Sequence, residues 1–142
     1  MIRKFQKADI EPVMRIWLSA NLDAHAFIPA EYWQSNFDPV RSQIAQAEVW
    51  VYELETGIQG FIGLAGDYIA GLFVDKSCRS RGIGKQLLDH VKQTHDALSL
   101  SVYKRNERAV SFYLREGFSV SAEQTDEATG EAECTMGWSA QS

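Results

Sequence analysis

Apolar positions along the chain switch several times between a two-residue and a three-to-four-residue period, and the switches lay out a fold. Residues 1–5 read as a short strand. Asp9 is placed as a helix N-cap, and Pro12 falls inside the first turn, where its missing N–H costs nothing. Ile10, Val13, Met14 and Trp17 then share one face, which predicts a helix over residues 10–20 packed on a sheet. Residues 21–29 break the pattern and carry His25 and Phe27, side chains that a simple turn does not need. Tyr32, Trp33, Phe37, Val40 and Ile44 form a second helical stripe that starts at Pro29 and is divided or kinked near Pro39. Strands are predicted over residues 48–54 and 58–65 around a turn at Glu55, Thr56 and Gly57. Gly66 and Asp67 turn the chain again into a strand over residues 68–74, giving a three-stranded antiparallel meander with the first strand alongside. Ile83, Leu87, Leu88, Val91 and His95 mark the buried face of an amphipathic helix, with its regular run over residues 86–95. The next strand, residues 98–102, follows a crossover helix and should run parallel to residues 68–74. A helix over residues 107–116 is closed by Gly117, and residues 118–124 and 133–138 form a last antiparallel pair.

Composition narrows the classes of function. A chain of 142 residues with 45% hydrophobic side chains suits one domain, residues 1–142. Fourteen basic against nineteen acidic residues give a net charge of −5, which argues against a nucleic-acid partner. No run approaches a membrane span and the first residues lack a signal-peptide core, so no membrane partner and a cytoplasmic location are expected. Cys78 and Cys134 have neither disulfide-framework nor metal-ligand spacing, and His90 and His95 do not share a helix face, so no metal is expected.

The most informative stretch is Arg79-Ser80-Arg81-Gly82-Ile83-Gly84-Lys85, between a strand and a helix. Gly82 and Gly84 let backbone approach a ligand, and the first helical amides point free N–H groups at it, a phosphate cradle reinforced by Arg79, Arg81 and Lys85. A dinucleotide-binding turn is excluded because Leu87 stands at the third glycine position and Lys104 and Arg105 occupy the region of the acidic residue. A Walker loop is excluded because Gln86 follows Lys85 and Arg79 replaces the first glycine. Two glycines alone would serve equally as a tightly packed helix start.

The Arg-x-x-Gly-x-Gly pattern is followed by Asn106-Glu-Arg-Ala109-Val-Ser-Phe112-Tyr113-Leu-Arg-Glu-Gly117-Phe118. Together, in this order, the two motifs resemble the Gcn5-related N-acetyltransferase (GNAT) superfamily, of the small single-domain bacterial type. The resemblance implies an α/β (α+β) fold: a mixed central sheet of about seven strands, mostly antiparallel with a splayed parallel central pair, flanked by about four helices. It implies acetyl-CoA as cosubstrate, with its pantetheine arm bonded by the backbone of Leu72, Phe73 and Val74 and one such N–H serving as oxyanion donor. The cradle residues Arg79, Arg81, Gly82, Ile83, Gly84 and Lys85 would take the phosphates, and Asn106, Ala109 and Phe112 the cofactor arm. Tyr113 matches the residue that protonates the departing thiolate. Because adjacent helical aromatics cannot both face one core, either Phe112 or Tyr113 is expected to point elsewhere.

On this resemblance the protein is an N-acetyltransferase that moves acetyl directly to a primary amine, with a protein lysine or N-terminal amine as leading acceptor. A small amine such as an amino acid, polyamine or antibiotic is the alternative within the same chemistry, and a non-catalytic acyl-CoA-binding regulatory module is the alternative outside it. Some relatives carry a glutamate five residues before the asparagine; here Ser101 stands there and cannot act as base. A water relay, or His25, Glu48 or Asp67, is left for that role. The acceptor mouth is expected at His25, Phe27 and Tyr68.

Overall fold

A computed structural model describes residues 1–78 and 81–140. Seven strands form one sheet in the order β1-β2-β3-β4-β5-β7-β6. β1 (Ile2–Lys4), β2 (Glu48–Leu54), β3 (Gly57–Ala65) and β4 (Tyr68–Val74) make the antiparallel meander. β5 (Ala97–Tyr103) runs parallel to β4, and β7 (Ala132–Ser139) inserts between β5 and the edge strand β6 (Ser119–Thr125). That insertion is the part of the topology the sequence pattern did not order.

Alternation along the strands builds two cores, one on each face of the sheet. Val49, Val51, Ile58 and Phe61 face α1 (Ile10–Ala24), α2 (Ala30–Ser35) and α3 (Phe37–Gln46). Ile62, Leu64, Ile69, Leu98, Leu100 and Met136 face α4 (Ile83–Lys92) and α5 (Glu107–Arg115). The helices number five among the described residues rather than about four, because the second helical stretch is broken at Asn36. Its side-chain amide donates to the Tyr32 carbonyl at 2.7 Å, while Pro39 falls in the first turn of α3, where proline needs no N–H partner.

Two helix boundaries differ from expectation. α1 runs on to Ala24, four residues past its predicted end, and Asn21, expected in the break, is buried within it and donates its side-chain N–H to the Trp17 carbonyl at 2.8 Å. α4 begins at Ile83, three residues before the regular run, and ends at Lys92; His95 lies beyond it, bonded through Nδ1 to the Val91 carbonyl at 2.8 Å. Ile83, Leu87, Leu88 and Val91 are all buried as the periodicity required.

The central pair parts early. β4 and β5 are in register only at Tyr68–Ser99 and Ile69–Leu100. The β3–β4 register then skips Ala70, a bulge of the kind that bends a strand away from its neighbour. Gly71 follows, and a Cβ there would lie 2.4 Å from the Phe73 ring, so only glycine lets that ring fold back along the strand.

Candidate active site

The gap between β4 and β5 is a cleft of about 470 Å³ lined by residues from both faces of the sheet. Leu72, Phe73 and Val74 form one wall, Asn106, Ala109, Phe112 and Tyr113 of α5 the other, and Gly82, Ile83, Gly84 and Lys85 the mouth at the start of α4. Ala20, Ala24 and His25 at the end of α1 close it from the opposite face. Thus twelve of the residues singled out in sequence meet around one cavity.

At the mouth, Gly82 is the α4 N-cap with φ +77°, a left-handed conformation that L side chains resist, and a Cβ there would meet the Gln86 side-chain amide at 3.9 Å. The first residues of α4, whose amides have no partner within the helix, line the cleft. Arg81 is exposed beside them, and Arg79 lies outside the described residues. Lys85 lines the cleft, but its ammonium is bound to Glu116 at 3.0 Å and Asp89 at 3.3 Å, so its charge ties α4 to α5 rather than standing free for a phosphate. Arg108 and Arg115, which no motif singled out, line the same mouth; the signal available was their placement seven apart on α5, which puts both on one face.

Both adjacent aromatics of α5 reach the cleft, at different depths, contrary to the expectation that one would turn away. Phe112 is half-buried, and a Cβ on Gly84 would sit 3.6 Å from its ring. Tyr113 is buried against Phe112 and Phe118, with ring centroids 5.2 and 5.5 Å away. Burial pushes its phenol well above the ordinary value, and among the described residues nothing hydrogen-bonds its hydroxyl.

His25 is 9% exposed and stacks on Trp33 at 5.2 Å. Its Nδ1 meets Asn21 Oδ1 at 3.0 Å and its Nε2 meets Asn106 Nδ2 at 3.1 Å. Burial lowers its pKa to about 4, so the ring is neutral at physiological pH.

Other predicted residues lie elsewhere. Phe27 packs behind His25, at 5.7 Å, under the Arg105 guanidinium and outside the cleft lining. Tyr68 is 41% exposed at the closed end of the β4–β5 pair, because the strands are still hydrogen-bonded neighbours there and part only after Ile69. Glu48 accepts from Trp50 Nε1 at 2.9 Å and, with Asp67, faces His95, so neither candidate base lines the cleft.

The parallel pair parts beside the N-terminus of α4, and a buried phenol lines the opening. The acetyltransferase (GNAT) domain family matches residues 45–120, and the chain belongs to that family. It is an N-acetyltransferase that uses acetyl-CoA as cosubstrate. It is 36% identical over 122 residues, 84% of each chain, to the peptidyl-lysine N-acetyltransferase YiaC of Escherichia coli strain K12. It is 34% identical over 121 residues to the peptidyl-lysine N-acetyltransferase YjaB of the same organism, covering 84% of this chain and 82% of that one. The solution structure of apo YjaB from Escherichia coli matches with a TM-score of 0.86 and 30% identity over 97% of this chain and 96% of that one. A Bacillus anthracis acetyltransferase solved with acetyl coenzyme A shares the fold at a TM-score of 0.60 and 24% identity, over 66% of this chain and 62% of that one.

Proposed function

We propose that this enzyme acetylates the side-chain amine of protein lysines in the cytoplasm, with Tyr113 as the acid at the leaving sulfur. The observation that carries it is the cleft itself, lined from both faces of the sheet: a cofactor held from the α4–α5 face would leave the α1 side, at Ala20, Ala24 and His25, to a second substrate. The acceptor class is supported by the two relatives named peptidyl-lysine N-acetyltransferases, each covered over more than four fifths of its length. The compartment is supported by two free, buried thiols, Cys78 and Cys134, and among the described residues no helix is long and apolar enough to cross a membrane.

In this reading the backbone of Leu72, Phe73 and Val74, freed from β5 by the splay, bonds the pantetheine arm, and one of their N–H groups stabilises the oxyanion. The amides from Gly82 to Lys85, with Arg81, hold the pyrophosphate. Asn106 and Ala109 meet the arm, and Phe112 packs along it. The amine nitrogen attacks the thioester carbonyl and loses its extra proton to water, the C–S bond breaks, the sulfur takes its proton from Tyr113, and the phenolate regains a proton from water, giving an amide and free coenzyme A thiol.

The amine must first lose a proton, which at pH 7 costs about 4 to 5 kcal/mol for a lysine. Of the carboxylates on the described residues, Glu116 alone lines the cleft, and Lys85 occupies it. Of the alternatives that Ser101 left, the proton therefore leaves to solvent through water.

The acceptor is tested by measuring thiol release with N-terminally blocked lysine peptides, unblocked lysine-free peptides, and free amino acids and polyamines. Turnover on blocked lysine peptides well above the other two supports the reading. Preference for small amines overturns the protein acceptor, and acetyl-CoA binding without turnover on any amine would return the binding-module alternative.

Acetyl-CoA should also stabilise the fold, by about 2.7 kcal/mol at one hundred times its dissociation constant, whereas NAD and ATP should not. Gly82→Val places a side chain in the space before the α4 amides and strains a φ of +77°, so the variant should melt lower and show no acetyl-CoA shift. A normal shift in that variant would remove the cradle from the argument.

A further inference from the structure

His25 lines the cleft on the acceptor side of the sheet, but its hydrogen bonds run the other way. We infer that His25 is a positioning residue for the cofactor, fixing the side-chain amide of Asn106 so that its second N–H faces the pantetheine arm. The inference rests on the proposed contact between Asn106 and that arm.

Counting donors and acceptors sets every orientation in the chain of bonds. Asn21 gives its Nδ2 hydrogen to the Trp17 carbonyl at 2.8 Å, so its Oδ1 faces the ring at 3.0 Å and His25 Nδ1 must carry the proton. Nε2 is then a bare lone pair, and it accepts from Asn106 Nδ2 at 3.1 Å. Asn106 Oδ1 accepts from the Ala109 N–H at 3.3 Å, capping α5. One Nδ2 hydrogen of Asn106 remains, on a residue that lines the cleft. Were this amide flipped, oxygen would face the bare Nε2 and N–H would face N–H, losing both bonds at once. The ring is what makes the two amide states unequal.

The ring is itself immobilised. Trp33 stacks on it at an interplanar angle of 24°, and Phe27 and Tyr103 close on its edges at 5.7 and 5.1 Å. The bonds thus connect the end of α1 on one face of the sheet to the N-terminus of α5 on the other, across the gap between β4 and β5.

The same geometry removes His25 from consideration as the general base. Its lone pair is already occupied, and with a pKa of about 4 it would take a proton from a lysine ammonium with an equilibrium about a million-fold unfavourable.

The test measures acetyl-CoA affinity by calorimetry without acceptor, together with acceptor KM at saturating acetyl-CoA. The terminal oxygen of Gln stands near the Nε2 position, whereas Asn reaches only the Nδ1 position. His25→Gln should therefore bind acetyl-CoA within about threefold of wild type, and His25→Asn about tenfold more weakly, the range of one neutral hydrogen bond. Asn106→Ala should weaken binding at least as much, and adding His25→Asn to it should cost nothing further. Asn21→Leu, which frees the ring proton to move to Nε2 against Asn106, should weaken binding about threefold and serves if His25→Asn does not fold. Acceptor KM should be unchanged in all of them. Equal affinities in the Asn and Gln variants, additive losses in the double variant, or intact cofactor affinity with a raised acceptor KM would each overturn the inference. Normal binding by Asn106→Ala would instead remove the Asn106 contact on which it rests.

Discussion

Tyr113→Phe should lower kcat by about a hundredfold at pH 7 while leaving acetyl-CoA affinity within about twofold, since a positioned acid is typically worth 10² or more. One oxygen is removed from a ring whose packing against Phe112 and Phe118 stays in place, so the fold has little reason to change. The hydroxyl makes no hydrogen bond with any described residue, so its loss leaves no protein partner unpaired in the buried wall. Burial also keeps the phenol protonated far above neutrality, the state an acid needs before transfer. The defect should shrink as pH rises past about 8.5, where a thiolate leaves unaided. Single-turnover rates across pH 6.5 to 9.5, with cofactor affinity measured separately, check both parts. A collapse in cofactor affinity with normal turnover per bound cofactor would make Tyr113 a packing residue and leave the acid unassigned.

The strand order up to β5 and the glycine-marked start of α4 were legible because each rests on local chemistry. Alternation, turn residues and the crossover rule place β1 to β5, and two glycines ahead of an amphipathic helix mark the mouth. Long-range pairing was not legible. That β7 rather than β6 lies against β5 depends on which strand can bury a face: Cys134 and Met136 of β7 are buried, while every residue of β6 is exposed. The bulge at Ala70 left only Gly71 as its sign, and a glycine in an apolar strand has several other uses. Tyr68 was placed by its nearness in sequence to the strand expected to bind the cofactor, but position along a strand does not say where its neighbour leaves it. The partners of His25 are 4 and 81 residues away, so a lone histidine after a helix gave no hint that it spans the sheet.

Acid should destabilise the fold in two separable stages, the first of which belongs to His25. Its neighbours Asn21, Asn106, Trp33, Phe27 and Tyr103 are uncharged, so nothing offsets the burial that lowers its pKa from 6.5 to about 4. Between those values the unfolded chain binds the proton and the folded chain does not, so stability falls as pH decreases. No penalty is present above about 6.5, and it reaches its full size of roughly 3 kcal/mol near pH 4. Asp9 acts later and with the opposite origin: the bonds from Arg3 at 2.8 and 2.9 Å hold its carboxylate below the ordinary value of 3.8. Its contribution is present above that value and is lost only as pH falls below it. Urea unfolding of the wild type at half-unit steps from pH 8 to 4 should thus show stability level to about 6.5 and then declining. His25→Gln, which has no titrating ring, should stay level by comparison across that range, because the Asp9 contribution is lost only below 3.8. If the wild type is flat between pH 6.5 and 4.5, or if the variant keeps the same decline, the ring is not held neutral by burial, and the bond from Asn106 to a bare Nε2 loses its electrostatic basis.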